Sequence, residues 1–383
     1  MRKNKVTIVL IALILILSGY ILIQGGARLV ESWRLGMHEN LAETTEKLFL
    51  PGIYYAINET EEANWLEEQM QVFFPFNGYV DEKAEEVTEI EDSLTYDMIL
   101  EMQAKDEERL SEDLDDQAQQ ASQTAVKNTE ISMEKLRDFN YLISKFYTVD
   151  STTMIYEEEL DVDKLLAKDM HIDTSSSGPK VLIFHTHSQE MFADSVSGDT
   201  STSIVGIGAY LAQKLNEKGI ETMHHDGVYD LIDGTLDRSK AYELSEIGVR
   251  EILNQYPSIE VVIDLHRDGV SEDLHLVTEV DGKQTAKIMF FNGLSRTKAN
   301  GDIAYLQNPY IQDNLSFSLQ MQLASESMYP GLARKIYLKG YRYSLHMMPK
   351  SLLIEAGAQT NTVQEMKNAM DLLANILENV LIE

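Results

Sequence analysis

Residues 181–190 constrain this chain more than any other stretch. Val181, Leu182, Ile183 and Phe184 stand in a row, the pattern of a short strand buried on both faces. His185, His187 and Glu190 follow directly. Open α/β sheets place their sites at the carboxyl edge of such strands. One loop or helical turn can aim His187 and Glu190 at a single cation. Two imidazoles and a carboxylate with one position open form the ligand set of a catalytic zinc. Taken alone, the same residues read equally well as hydrogen-bonded loop positions.

The flanking pattern extends the strand into a sheet. Ser175, Ser176, Ser177, Gly178 and Pro179 break the chain just before it, which places the start of a domain there. A helix is expected from about Ile204, with Ile207, Leu211 and Leu215 inward and Gly219 as its stop. Residues 220–223 read as a second strand, followed by His224, His225 and Asp226. A helix over about 239–256, closed by Pro257, leads to a third strand over 259–265 that ends in His266, Arg267 and Asp268. Strand and helix alternating at this spacing predict an α/β fold, a mostly parallel sheet with helices on both faces. Residues 274–280 and 285–291, with Asp281 and Gly282 between them, read as a hairpin that returns a strand to the sheet. A long helix is expected over about 310–327 and a last strand over 352–354, running into Glu355. Thr362 and Glu365 form a capping box for a final helix.

Upstream, Arg2, Lys3 and Lys5 precede the uncharged residues 6–23. At ~1.5 Å per residue that run covers roughly 27 Å, near the hydrocarbon thickness of a bilayer. The expectation is an uncleaved membrane anchor within 1–27, with the rest of the chain outside the cytoplasm. Residues 28–76 are mixed. Residues 77–130 are crowded with Asp, Glu and Gln and poor in apolar residues, the composition of a disordered linker. About 50 such residues give a reach of roughly 40 Å. Residues 131–174 read as a helical lead-in, its first helix ending near Tyr147, and 175–383 as the catalytic domain. Over the 383 residues, 63 acidic against 32 basic side chains give a net charge of -31, which disfavours nucleic acid as a partner. With no cysteine, any metal must be held by His, Asp and Glu.

In a parallel sheet all carboxyl ends share one edge, so His187, Glu190, His266 and Glu355 can meet there. His187, Glu190 and His266 would hold the cation and Glu355 would remain as a spare carboxylate. Zinc there would acidify a water and polarise a carbonyl, and Glu355 would pass the water's proton to a leaving amine. Asp264 either orients His266 or is buried against a helix N-terminus. Arg267 either binds a substrate carboxylate or pairs with Asp268. His185, His224 and His225 are spare imidazoles that could compete for the metal. A catalytically silent scaffold of the same fold is the alternative.

Four pieces in order carry a resemblance: residues 185–190 (His-Thr-His-Ser-Gln-Glu), 264–268 (Asp-Leu-His-Arg-Asp), 349–357 (Pro-Lys-Ser-Leu-Leu-Ile-Glu-Ala-Gly) and Asn361 with Thr362. From about Ile131 to the C-terminus the chain resembles the stage II sporulation protein P family of endospore-forming bacteria, and the single N-terminal span agrees. That family is similar in fold to the zinc-dependent N-acetylmuramoyl-L-alanine amidases. The resemblance implies that His187 and His266 are zinc ligands and Glu355 the catalytic glutamate. In the general amidases the ligand glutamate opens the helix after the first strand. Here Ser203, Ile204 and Val205 stand at that place, so Glu190 must serve from the loop, with Asp199 and Asp226 as the other candidates. The resemblance further implies peptidoglycan as substrate during forespore engulfment, at the cell membrane. It implies as partners a lytic transglycosylase, stage II sporulation protein D, and the membrane protein stage II sporulation protein M. A second activity, cleavage of peptide cross-links, is implied in the same way.

Overall fold

The computed structural model describes residues 132–382. The expected anchor, the mixed region and the acidic linker lie outside the described residues. Among those described, no helix is long and apolar enough to cross a membrane. Seven strands share one sheet: β1 (Tyr147–Val149), β2 (Val181–Phe184), β3 (Thr222–His224), β4 (Val261–Asp268), β5 (Ile288–Gly293), β6 (Ile336–Lys339) and β7 (Lys350–Ala358). Their spatial order is β1-β6-β5-β7-β4-β2-β3.

β3, β2, β4 and β7 run parallel, as do β5, β6 and β1, and the two blocks meet antiparallel at β7 and β5. The reversal has a simple cause. β4 and β5 are joined by the hairpin Val277–Val280/Lys283–Ala286 rather than by a crossover helix, so β5 sets out from the edge where β4 ended. Asp281 and Gly282 turn that hairpin with φ of 50° and 74°, both left-handed, as a two-residue turn of the I′ kind requires.

Three helices flank the parallel block as expected: α4 (Ile204–Glu217), α5 (Ala241–Gln255) and α7 (Val363–Leu381); α6 (Ile311–Met328) covers the junction with the other block. The capping box of α7 forms as read: Thr362 Oγ1 accepts from the Glu365 N–H and Glu365 Oε2 accepts from the Thr362 N–H, at 3.3 and 2.9 Å. Near the start of the described chain the structure departs from the reading. Instead of one helix to Tyr147 there are α1 (Met133–Leu136) and α2 (Phe139–Phe146), and Tyr147–Val149 is the edge strand β1. α3 (Val162–Ala167) follows, capped by Asp161. The segment read as a lead-in is thus built into the sheet. β6 was not expected either. Both strands are too short to display a period of two on their own.

Strand parity sorts the core. Val181, Ile183, Val261, Ile263, Leu265, Leu352 and Ile354 face α4, α6 and α7, all buried in one large cluster. Each such fully buried aliphatic side chain stabilises the fold by about 1.5–3 kcal/mol. Leu182, Phe184 and Val262 point the other way, against Val249 of α5 and Met347, and Leu353 joins Tyr242, Tyr337 and Tyr343. On this second face Asp264, His266 and Glu355 continue the alternation of β4 and β7 where apolar residues give way.

Candidate metal centre

His266 and Glu355 are Cα partners on adjacent parallel strands, and both are buried. The register slips just past them, between Glu355 and Ala358. Gly357 sits in that bulge with φ +58°, where a Cβ would come within 2.5 Å of Met366 Sδ and 2.9 Å of Asn361 Oδ1. Only glycine fits, and the bulge bends the strand end beside the glutamate. Asn361 closes it: its Oδ1 accepts from the Ala358 N–H at 2.9 Å.

The loop after β2 is pinned from all sides. Asp264 accepts the Thr186 N–H and the Thr186 hydroxyl at 2.9 and 2.7 Å. Asp230 accepts the Ser188 hydroxyl at 2.7 Å and the Gln189 N–H at 3.1 Å. Glu190 is held twice. Its Oε2 accepts the Arg267 N–H at 2.8 Å, and its backbone oxygen accepts the first N–H of α4, from Ile204, at 3.0 Å. The loop therefore carries Glu190 to the start of the helix, although it precedes that helix in sequence by fourteen positions (204 − 190).

His187, Glu190 and His266 come together, each offering one ligand atom within 4.8 Å of the others, all three residues buried. Glu190 Oε1 lies 3.7 Å from His187 Nδ1 and 4.0 Å from His266 Nδ1. His266 Nε2 is 2.8 Å from Asp264 Oδ1. A buried carboxylate there takes the Nε2 proton and leaves Nδ1 as a lone pair on the Glu190 side. Burial opposes charge on Glu190. Its neighbours His187, His266 and Arg267 outweigh that burial and hold its carboxyl below the usual carboxylate range. Asp264, fully buried, is likewise held below the usual carboxylate range, by His266 and Thr186 against its burial.

Other expected residues are placed elsewhere. His185 continues the parity of Val181 and Ile183 and so faces α4, on the opposite side of the sheet. Its Nδ1 donates to the Leu265 oxygen at 2.7 Å and its Nε2 is 3.0 Å from His224 Nε2. A Cβ on Gly208 of α4 would lie 2.4 Å from that Nε2. Burial, then His224, pushes His185 down to about 3. It is no neighbour of the cluster. His225 bonds the Tyr229 hydroxyl at 2.6 Å. Asp199, exposed, caps a 3₁₀ turn through the Ser201 N–H, and Asp226 is not in the cluster either. Arg267 directs its Nη1 to the Asp268 backbone oxygen at 3.0 Å, while the Asp268 side chain pairs with Arg334.

Sequence reasoning missed Tyr242, Arg238 and Asp230. The Tyr242 ring meets His187 edge-on at 5.6 Å and stacks over His266 at 6.5 Å, forming a wall of the site from the first turn of α5. Arg238 Nη2 is 3.6 Å from Glu190 Oε1. All three come from the stretch before and into α5, which reads from sequence only as loop and helix.

The profile of the family Stage II sporulation protein P (SpoIIP) matches residues 60–378. The chain belongs to this family. A SpoIIP relative, stage II sporulation protein P of Bacillus subtilis (strain 168), is 22% identical over 228 residues, 56% of this chain and 54% of that protein. The chain thus spans about half the length of the curated relative it matches. Among solved structures, the CwlD amidase of Clostridioides difficile in complex with the GerS lipoprotein is 14% identical with a TM-score of 0.34, covering 52% of this SpoIIP chain and 98% of its own. The N-acetylmuramoyl-L-alanine amidase AmiC2 of Nostoc punctiforme is also 14% identical, with a TM-score of 0.31, covering 53% and 98%.

Proposed function

We propose that the chain is a membrane-anchored, zinc-dependent peptidoglycan hydrolase that cuts the amide joining the lactyl group of N-acetylmuramic acid to L-alanine during forespore engulfment. The observation that carries this reading is the buried His187–Glu190–His266 group, with Glu355 in register beside His266. The donor set fits a zinc ion. Glu190 is charged, His266 Nδ1 is kept deprotonated by Asp264, and the Glu190–histidine separations exceed by under 1 Å the ~3.3 Å between tetrahedral ligands at ~2.1 Å.

Zinc, when bound, polarises the scissile carbonyl and makes water more acidic. The chain's own groups do the rest. Glu190, His187 and His266 hold the cation, and Asp264 fixes the His266 tautomer. A Glu355 carboxylate oxygen accepts the proton of the attacking water and returns it to the departing L-alanine nitrogen. Tyr242 covers the two imidazoles and limits water to the open side. Stage II sporulation proteins D and M are the proposed partners, and cross-link cleavage the proposed second activity; both rest on family membership.

Metal analysis and wall digestion on the full chain test the reading. The expected result is about one zinc per chain and release of stem peptides from purified walls. Both should be lost in a His187→Ala, His266→Ala double variant. In Glu355→Gln, zinc should stay while cleavage falls by about 10²–10⁴-fold. A folded parent that takes up no zinc and releases no peptide refutes it and leaves a wall-binding scaffold.

A further inference from the structure

The sheet edge that carries His266 and Glu355 also holds a pair of neighbouring cations, although the chain has 63 acidic and 32 basic residues. Lys287 and Arg334 stand side by side there, and Arg334 pairs with Asp268. Asp268 ends β4 on the same pleat face as Asp264 and His266, is buried, and takes Arg334 Nη1 on Oδ2 at 2.5 Å.

Lys287 stands just before β5. Its N–H bonds the Leu276 oxygen at 2.9 Å, and its own oxygen takes the Gly357 N–H at 2.8 Å. The bridge between Ile288 and Ala333, with the Arg334 N–H on the Ile288 oxygen at 2.7 Å, sets Lys287 beside Arg334. Burial, and then the Arg334 charge, push the Lys287 ammonium below its usual range. Its side chain makes no ion pair or hydrogen bond among the described residues. Two neighbouring cations, only one of them paired to a carboxylate, therefore stand in a half-buried place, an arrangement that costs free energy until an anion meets it.

Distance selects the anion. Glu355 pairs in register with Met289, so Lys287 lies two residues further along the sheet, about 7 Å. Lys287 also shares the pleat parity of Met289 and Phe291, on the face of the proposed centre. In a wall peptide stem the second residue is a glutamate linked through its side chain, with its α-carboxylate free. An extended peptide advances about 3.3–3.6 Å per residue, so this carboxylate stands roughly 7 Å past the muramoyl amide.

We infer that Lys287, with Arg334, forms a subsite for a free carboxylate of the peptide stem next to the cleavage centre. Asp268 holds Arg334 in place and Lys287 supplies a point charge. The identity of the ligand rests on the hydrolase reading; the binding of an acidic peptide does not require cleavage.

The test uses the full chain carrying Glu355→Gln, so that nothing is consumed. Calorimetry compares N-acetylmuramoyl-L-alanyl-D-glutamate with its α-carboxamide. The carboxylate should bind about tenfold more tightly, the worth of one charge-assisted hydrogen bond. Adding Lys287→Gln should abolish that preference without weakening the carboxamide, whereas Lys287→Arg should retain it. Equal binding of the two forms, no binding of either, or a preference that survives Lys287→Gln overturns the subsite. The two readings fail separately. Without the subsite, the Glu355 enzyme cleaves both forms equally well; without the hydrolase, the carboxylate preference stands in a chain that cuts nothing.

Discussion

Replacing Asp264 tests how the centre is held. The carboxylate is fully buried and accepts three hydrogen bonds: the Thr186 N–H at 2.9 Å, the Thr186 hydroxyl at 2.7 Å and His266 Nε2–H at 2.8 Å. Asp264→Ala leaves those donors buried with one acceptor group gone. At about 1–3 kcal/mol for each stranded donor, partly recovered by Thr186 Oγ1 turning to Ser245, the loss should be about 3–5 kcal/mol. Asp264→Asn keeps the volume and one acceptor, so its stability cost should be smaller, about 1–2 kcal/mol. Its effect on the centre should not be small. An amide no longer fixes the proton on His266 Nε2, so the Nδ1 lone pair facing Glu190 is lost for much of the time, and zinc should bind about 10–100-fold more weakly. Urea unfolding of the metal-free full chain gives the first number, and zinc titration against a chromophoric chelator gives the second. Thr186→Val is the control, removing one donor but not the tautomer lock, with about 1 kcal/mol lost and zinc affinity nearly unchanged. An Asp264→Asn protein that binds zinc as tightly as the parent refutes the reasoning.

Two further outcomes follow from groups outside the centre. Glu246 on α5 accepts from Arg250 and Arg342 at 2.8 and 3.0 Å, and His346 Nε2 lies 2.9 Å away; burial opposes its charge, but these partners lower its carboxyl from 4.5 to about 2. Because the folded value lies below the unfolded one, this stabilisation is whole above about pH 4.5 and fades as pH falls toward 2. Allowing for solvent screening of a partly exposed group it amounts to roughly 1–2 kcal/mol, and Glu246→Gln should flatten that limb of the urea-midpoint curve. His185→Ala should cost about 2–4 kcal/mol, by opening a cavity and stranding the Leu265 oxygen, yet leave one zinc per chain, because the ring lies across the sheet from the cluster. Loss of zinc from a folded His185→Ala chain would contradict that placement.

Much of the parallel block was legible because it rests on local rules. Four apolar residues in a row, the helical spacing after Ile204 and before Pro257, and the Thr362–Glu365 box each act over a few residues, where periodicity and capping are strong signals. What failed was short or non-local. β1 is three residues attached to a helix, and β6 four residues with Tyr337 and Lys339 among them. Their strand character comes from pairing with each other and with β5, not from their own composition.

The sequence by itself determined that two histidines and two glutamates stand at or just beyond the carboxyl ends of strands of a single sheet, because a strand's apolar run marks its own length. Tertiary structure decided which of them meet. Parity turns His185 to the α4 side, while the loop beyond it, tied to Asp264 and Asp230, brings His187 back toward His266. Glu190 reaches its place through the N–H groups of Arg267 and Ile204, one of them 77 residues away in the chain. Such bonds form between donors and acceptors that leave no trace in local composition. Buried polar groups must find partners wherever the packed sheet presents them, and only the assembled sheet fixes where that is.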